Sequence, residues 1–189
     1  MESLAEVTFV ERIIDVAQYI YDEYKKQSGE IIEEMKLHKL LYFTQRESIA
    51  ITNKPMFNEE FEGWKCGPVS GVVRRCYTKD GMHTEEIREI SFLSAYIVQN
   101  VILQYGSLAS WKLRQISRQE ISWLNSRKGL SKAANGNVLL KLEDIRKDSK
   151  KVRPYLAQSV SHFLNSEVHK ENIYFVNEFQ KKHIGHTKM

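Results

Sequence analysis

The chain contains 189 residues, of which 42% are hydrophobic and 28% are charged, and its formal net charge at pH 7 is +4. These values fit one globular domain that buries its own core without disulfides or metal. No apolar run approaches the ~20 residues that span a bilayer, and the acidic first residues differ from the basic start of a signal peptide, so we expect a cytoplasmic protein without membrane contact.

The first two helices are well signalled. Thr8 followed by Glu11 is a capping-box pattern, and a helical stripe follows it at Val10, Ile13, Ala17, Ile20 and Tyr24. Gly29 would end this helix. A second helix is predicted over residues 33–51, ended by Asn53-Lys54-Pro55. Its inward positions would be Leu37, Leu40, Leu41 and Thr44.

The middle of the chain is less regular. Residues 57–64 favour an extended or looped segment. Gly67-Pro68 is typical of a helix start, because proline is favoured at the first helical position. A third helix would then carry Val69, Val72, Val73 and Tyr77, before a turn at Lys79-Asp80-Gly81.

The second half is again helical. A fourth helix is predicted over residues 92–104, and short helices over residues 110–116 and 118–127. Residues 134–137 predict a turn, residues 138–142 a short strand, and residues 154–179 a final helix. The fold class is therefore mainly α: a single compact helical domain with at most a small β-hairpin and a helical C-terminal extension.

Two ordered strings of residues resemble a known family. The first runs from Lys36 to Gln45 and continues through Pro55-Met56-Phe57, Phe61-Glu62-Gly63-Trp64-Lys65 and Gly67-Pro68-Val69. The second comprises Tyr105-Gly106-Ser107-Leu108, Leu113, Glu120, Trp123 and Arg127. In these residues the chain resembles the Panacea antitoxin domain, also called SocA-like or GepA-like. It departs from that pattern at Ser117-Arg118, where the family often has Thr-His, and at Glu33-Glu34.

The resemblance implies a function that the composition does not. It implies an antitoxin of a bacterial or prophage toxin–antitoxin system, encoded on a mobile element, that neutralises a neighbouring-gene toxin by direct protein–protein binding. One member of the family is also described as an adaptor that delivers its toxin to a protease, so a cytoplasmic protease is a second implied partner. The domain would cover residues 1–149, and residues 150–189 would form the extension.

Residue patterns for catalysis are missing from the sequence. It contains no GxSxG, GxGxxG or GxxxxGK[ST] motif. The six histidines lie outside any HExxH or CxxC context, and Cys66 and Cys76 are too few for a structural zinc site. We therefore expect no enzyme activity, no cofactor and no metal, and reduced cysteines.

One binding candidate surrounds the first tryptophan of the resemblance. Trp64 and Lys65 adjoin the Gly67-Pro68 elbow, and Arg74 and Arg75 follow on the predicted third helix. Tryptophan and arginine are enriched at binding hot spots. The alternative is that Trp64 packs in the core against Leu40 and Phe43, and this core interpretation is the one that we favour from the sequence.

A second candidate lies in the basic half. Residues 1–111 carry a net charge of −5 and residues 112–153 a net charge of +8, which suits an acidic protein or nucleic acid. Trp111 would belong to the partner-binding surface. The helix pair at residues 110–127 also has the outline of a helix-turn-helix, so a DNA-binding regulator is the alternative function. Its phosphate contacts would be Lys112, Arg114, Arg118 and Arg127; a solvated basic face is the third interpretation.

Overall fold

The computed structural model describes residues 10–131 and 133–152, all within the first of two units, Met1–Pro154. Those residues form seven helices and two antiparallel strand pairs. The helices are α1 Ile13–Ser28, α2 Glu34–Thr52, α3 Gly71–Cys76, α4 Phe92–Tyr105, α5 Ser110–Ser117, α6 Ile121–Ser126 and α7 Leu142–Ser149. The strands are β1 Glu62–Trp64, β2 Gly67–Val69, β3 Tyr77–Thr78 and β4 Gly81–Met82. The mainly α class is confirmed, while the helix predicted over residues 154–179 lies outside the described residues.

Helix α1 begins later than its sequence predicted. The chain at Glu11 is extended and pairs with the loop before β1, its N–H donating to the Met56 carbonyl at 2.8 Å. The helix starts at Ile13, whose N–H donates to Glu59 Oε1 at 3.1 Å. The capping-box start is therefore wrong, because a carboxylate from a distant loop caps the helix. Its predicted end is confirmed, since Gly29 adopts a left-handed φ of 74°.

Helix α2 is the central element, in contact with α1, α4, α5 and α7. Its predicted inward residues Leu37, Leu40, Leu41 and Thr44 are fully buried. Because neighbours surround it, charged side chains are buried as well, namely Lys36, Lys39, Arg46 and Glu47. The helix ends at Asn53, which takes a left-handed φ of 60°, as predicted.

The predicted helix start at Gly67-Pro68 is wrong. These residues form β2, which pairs with β1 in the register Gly63 to Pro68 and Trp64 to Gly67. Gly67 has a φ of 104°, which no helix contains. The third helix instead begins at Gly71, and Ser70 caps it by accepting the Val73 N–H at 3.4 Å.

The predicted strand over residues 138–142 is reduced to a bridge beside β1. Glu62 and Leu139 form an antiparallel bridge, flanked by hydrogen bonds from Gly63 N–H to the Val138 carbonyl and from Leu140 N–H to the Phe61 carbonyl. The chain then enters α7, which the sequence did not predict.

Helix α7 supplies an N-terminal cap for α6. Asp148 is fully buried, and its carboxylate accepts the N–H groups of Ile121 at 2.7 Å and Ser122 at 2.9 Å. It also accepts the Tyr42 hydroxyl at 3.1 Å, so a single carboxylate joins α2, α6 and α7. The predicted helix over residues 118–127 is correspondingly shorter, because residues 118–120 form a turn before α6.

Candidate protein-binding surface

The ring of Trp64 lies at the surface between two charged groups. Its Nε1 donates to Glu62 Oε2 at 2.9 Å, and the Arg74 guanidinium lies 4.9 Å from the ring centre. Arg74 also pairs with Glu34 at the start of α2, at 3.2 Å. Trp64 is half-buried, so it is not the core residue that the sequence favoured. The stacked guanidinium and its ion pair fix this corner of the surface.

A buried histidine, His38, contacts two residues next to this part of the surface, Glu34 and Ser70. His38 Nδ1 accepts the N–H of Ser70 at 3.3 Å, and His38 Nε2 lies 3.5 Å from Glu34 Oε1. Burial lowers the pKa of His38, so the neutral ring is favoured. The close approach of His38 Nε2 in turn lowers the pKa of Glu34, which keeps this carboxylate ionised for Arg74.

The turn between β1 and β2 packs against a buried lysine, Lys39. Lys39 is fully buried, and its Nζ donates to the Pro68 carbonyl at 2.7 Å. Burial lowers the pKa of Lys39 to about 7. The backbone of Gly67 fits against this lysine and α5 so closely that a Cβ there would lie 2.7 Å from Lys39 Cε and 2.7 Å from Ser117 Oγ. The hairpin is thus locked between α2 and α5.

Helix α5 meets the start of α2 on the other side. The Ser110 hydroxyl forms a hydrogen bond with the Glu33 carboxylate. The next residue, Trp111, is 67% exposed, and Lys112 Nζ lies 6.0 Å from its ring centre. Arg114 is also exposed. We refer to Glu33, Glu34, Trp64, Lys65, Arg74, Trp111, Lys112 and Arg114 together as the α2-start surface.

The comparisons with known proteins assign this part of the chain to a family. Residues 37–124, a little under half of the chain, match the family model described as "Antitoxin SocA-like, Panacea domain". These residues are therefore similar to a Panacea domain. It is also 42% identical over 50 residues to the antitoxin SocA of Caulobacter vibrioides (strain NA1000 / CB15N). That alignment covers 26% of this chain and 27% of the relative, and no solved structure matches the chain significantly.

The Panacea match runs from α2 to α6 and contains most of the predicted binding residues. Trp64, Lys65 and Arg74 lie on one side of the α2 start, and Trp111 on the other. Arg75 is exposed as well and lines an open cavity of about 460 Å³ together with Arg12, Cys76 and His83. A Cβ at Gly71 would lie 3.7 Å from Arg75 Nη1 and 3.2 Å from Glu62 Oε1, so the Arg75 guanidinium is also close to the carboxylate that holds Trp64.

Two of the predicted phosphate contacts stack on Trp123, near the end of the segment that matches the Panacea model. The guanidinium groups of Arg118 and Arg127 lie 5.0 Å and 5.7 Å from the centre of the Trp123 ring. Trp123 Nε1 donates to the Trp64 carbonyl at 2.8 Å. The two tryptophans are thus connected through the backbone of β1.

Arg127 belongs to the folded interior rather than to a surface. It is 8% exposed, and its guanidinium donates to the carbonyls of Gly63, Ser131 and Ala134 at 3.2, 3.0 and 2.7 Å. Three backbone acceptors converge on it, so its donors are directed inward and not toward a phosphate at the surface. The other three predicted contacts are partly or fully exposed, namely Lys112, Arg114 and Arg118.

The helix pair α5–α6 exposes few side chains of the kind that contact DNA bases. Helix α6 has six residues and no lysine or arginine between Ile121 and Ser126. Ser122, Trp123 and Ser126 are buried, whereas Leu124 is 50% exposed. A recognition helix needs polar side chains at its exposed positions. The one partly exposed amide of α6, that of Asn125, is already engaged, donating to Asp144 Oδ2 at 2.8 Å.

Two other kinds of site are absent from the described part of the chain. Within residues 10–131 and 133–152, no three His, Cys, Asp or Glu side chains are grouped so that they could hold a metal ion. Within the same residues, every helix is too short or too polar to cross a membrane. Both free cysteines are partly exposed.

The residue spacing did not predict the buried charges of α2, one of which lies beneath the β1–β2 hairpin. Lys39 and Arg46 occupy positions where a helical wheel predicts solvent, and only the four-sided packing of α2 buries them. The one available signal was the length of the match to the family, which includes both residues.

Proposed function

We propose that this chain is an antitoxin that neutralises the product of a neighbouring gene by direct protein–protein binding through the α2-start surface. The observation that carries the proposal is the exposure of Trp111, at 67%, beside a second aromatic corner formed by Trp64 and Arg74. Membership of residues 37–124 in the Panacea family supports the antitoxin role. The proposed setting is the cytoplasm of a bacterium, and the proposed role is not catalytic.

The side-chain types suit a protein interface. Tryptophan and arginine dominate hot spots because they bury much area with few rotatable bonds or form forked hydrogen bonds. Arg74 is held between the Trp64 ring and Glu34 before any partner arrives. Preorganisation of this kind reduces the entropy lost on binding.

Neutralisation of the toxin by direct binding requires an interface of a typical minimum area. A stable complex typically buries about 1,600 Å² in total, and nanomolar affinity corresponds to about −12 kcal/mol. Such a pair co-purifies. Delivery to a protease needs only a transient encounter with the toxin. The two routes can be distinguished because rescue by the adaptor route requires the protease, whereas rescue by masking does not.

The test is co-expression with the flanking genes. Expression of the neighbouring gene alone should stop growth, and co-expression of this chain should restore it. The double variant Trp111→Ala/Arg74→Ala should lose rescue and weaken the complex at least 30-fold, with an unchanged melting temperature. The matched control is Ile87→Ala, which removes a 57% exposed apolar side chain outside the α2-start surface and should retain rescue.

Several outcomes would contradict the proposal. Rescue by the double variant would exclude the α2-start surface, and absence of rescue with any flanking gene would exclude the antitoxin role. Rescue that disappears in protease-deficient cells would replace masking with protease delivery. Selective binding to its own promoter, lost in Arg118→Ala, would favour the DNA-binding alternative.

A further inference from the structure

Helix α5 carries an aromatic side chain and two cations on one face. Trp111, Arg114 and Arg118 follow one another at spacings of three and four residues, which bring side chains to the same side of a helix. Arg118 is the C-terminal cap and keeps helical dihedral angles, with φ −80° and ψ −6°. Trp111 and Arg114 are exposed, and the partly exposed Arg118 stacks on the Trp123 ring. This face of α5 is therefore accessible and ends in positive charge.

The tip of the β1–β2 hairpin adds a third cation at the same end of α5. A Cβ at Gly67 would lie 2.7 Å from Ser117 Oγ, so the hairpin turn touches the last residue of the helix. The Trp64 carbonyl accepts the Nε1–H of Trp123, the residue on which Arg118 stacks, at 2.8 Å. Lys65 lies between these two contacts in the turn and is exposed. We refer to Lys65, Arg114 and Arg118 as the basic stripe.

The basic stripe has no acidic partner in the described part of the chain. Within residues 10–131 and 133–152, none of its three cationic groups forms an ion pair. The carboxylates of the elements around α5 are bound to other groups: Glu34 to Arg74 at 3.2 Å, Glu62 to Trp64 Nε1 at 2.9 Å, and the buried Glu120 to Arg46. The three cations are thus available to carboxylates from outside.

The other end of the same face is acidic. Glu33 is exposed, and its carboxylate accepts the hydroxyl of Ser110, the first residue of α5. Trp111 follows directly and is 67% exposed. The face is therefore acidic at the start of α5, aromatic at Trp111 and basic at its end.

This order of charges favours a protein over nucleic acid as the occupant. A phosphate backbone carries negative charge at regular intervals, and Glu33 would repel the phosphates nearest the start of α5. A protein surface can place carboxylates opposite the cations alone and an apolar side chain opposite Trp111. Arginine suits such carboxylates, because its planar guanidinium forms two parallel hydrogen bonds with them.

We infer that the neutralised partner presents an acidic surface here, whose carboxylates pair with Lys65, Arg114 and Arg118 while an apolar side chain packs against Trp111. The inference rests on the proposed antitoxin function, because it specifies the chemistry of the partner at the α2-start surface and adds Arg118 to that surface. Opposite charges accelerate encounter and reject partners of the wrong sign. The basic stripe therefore sets both the association rate and the class of protein that is bound.

The test uses the full chain and the flanking-gene product whose toxicity it relieves. Arg114→Glu/Arg118→Glu should weaken their complex by about 30-fold, mainly through slower association. Raising the salt concentration from about 50 to about 500 mM should slow association of the unmodified pair by about 10-fold, and should have little effect on the variant. Lys25→Glu/Lys79→Glu makes the same change in net charge at exposed positions outside the surface and should leave the affinity within about 3-fold of the unmodified chain.

A second variant and a chemical probe keep the test independent of folding. Arg114→Glu alone leaves Arg118 stacked on Trp123 and should weaken the complex by about 10-fold. Arg114→Lys keeps the charge and adds an amine, so a zero-length carbodiimide should join this position to an aspartate or glutamate of the partner. Mass spectrometry should find such cross-links from Arg114→Lys and from Lys65, but not from Lys79.

The contrary outcomes separate this inference from the antitoxin function. If the unmodified chain and Arg114→Glu/Arg118→Glu bind and neutralise the flanking-gene product equally, the acidic partner surface is excluded while the antitoxin function stands. Cross-links to partner carboxylates from Lys79 alone would exclude it as well. If no flanking-gene product binds the unmodified chain, the antitoxin function fails and this inference fails with it. Binding of random duplex DNA that the charge reversal abolishes, with the protein complex unaffected, would assign the basic stripe to nucleic acid.

Discussion

Arg46 of α2 holds the carboxylate of Glu120 at the entry to α6, with 2.5 Å between Nη1 and Oε1. Both side chains are buried, and the same guanidinium lies 4.7 Å from the centre of the Phe43 ring and donates to the Tyr105 hydroxyl at 2.9 Å. One cation thus joins α2, α4 and the turn before α6.

Glu120→Ala should destabilise the fold by about 3 kcal/mol at pH 8, because it removes the nearer of two carboxylates beside the buried Arg46 and leaves only Glu47, at 3.9 Å. Denaturant unfolding followed by circular dichroism measures the difference. The matched control is Glu86→Ala, which removes one half of the exposed pair with Arg88 and should cost under about 1 kcal/mol. Equal losses of unfolding free energy in the two variants would show that the buried Arg46–Glu120 pair contributes no more than the exposed Glu86–Arg88 pair.

The buried lysine beneath the hairpin should make stability depend on alkaline pH. Burial lowers the pKa of Lys39 from 10.5 to about 7 in the folded chain, so above pH 7 the unfolded chain binds more protons. Stability should therefore rise with pH from 7 to about 10 through this group. Relative to Lys39→Met, the unmodified chain should gain about 1 kcal/mol per pH unit between pH 8 and 9.

Thermal and urea unfolding of the unmodified chain and Lys39→Met at pH 7, 8 and 9 measure that slope. Lys65→Met removes a charge from the exposed hairpin tip and should leave the slope unchanged. Parallel curves for the unmodified chain and Lys39→Met would contradict the assignment.

Glu47 should produce the opposite dependence at lower pH. It is fully buried, and its carboxylate oxygens have no hydrogen-bond partner in the described structure. Burial raises its pKa from 4.5 to about 7, so the folded chain binds more protons between these values and stability falls as pH rises from about 4.5 to 7.

Glu47→Gln should therefore be more stable than the unmodified chain at pH 7.5, and this advantage should shrink at pH 5. Urea midpoints at the two pH values give the comparison. Glu30→Gln, at an exposed position, should show no pH-dependent advantage. A constant difference at both pH values would indicate that packing, not ionisation, separates the Glu47 variant.

Gly67→Ala should disrupt the hairpin more than an equivalent change elsewhere. At Gly67 a Cβ meets both a left-handed φ of 104° and the 2.7 Å approach of Lys39 Cε, so we expect a loss of about 2–4 kcal/mol. Gly29 has a φ of 74°, but no atom would lie within 4 Å of a Cβ added there, so Gly29→Ala should cost only about 1 kcal/mol. Similar losses would mean that backbone strain alone sets the cost.

The long helices were predictable because their signals are local. The apolar spacing of α1, α2 and α4 and the left-handed ends at Gly29 and Asn53 agree with the structure to within a few residues. Gly67-Pro68 misled the prediction, because the same dipeptide fits a helix start and a strand. The pairing with Gly63 and Trp64, together with the positive φ of Gly67, decides for the strand.

The candidate surface was only partly predictable. Residue type identified Trp64, Arg74 and Trp111, since aromatic and guanidinium groups suit interfaces. Residue type could not identify Arg127 as buried, because the carbonyls of Gly63, Ser131 and Ala134 come together around its guanidinium only in the folded chain. Which face of a helix is exposed to solvent depends on the elements that pack against it, and residue spacing alone does not identify those elements.

The cap that Asp148 provides has a consequence for where this protein can be cut. The family match stops at residue 124, yet the amides of Ile121 and Ser122 and the hydroxyl of Tyr42 all depend on a carboxylate 24 residues further along. A fragment trimmed to the family boundary loses the acceptor of both amides and leaves the Tyr42 hydroxyl with only Ser122 Oγ, at 2.9 Å, as its partner. The segment that matches the family model is therefore shorter than the segment needed to satisfy these hydrogen bonds.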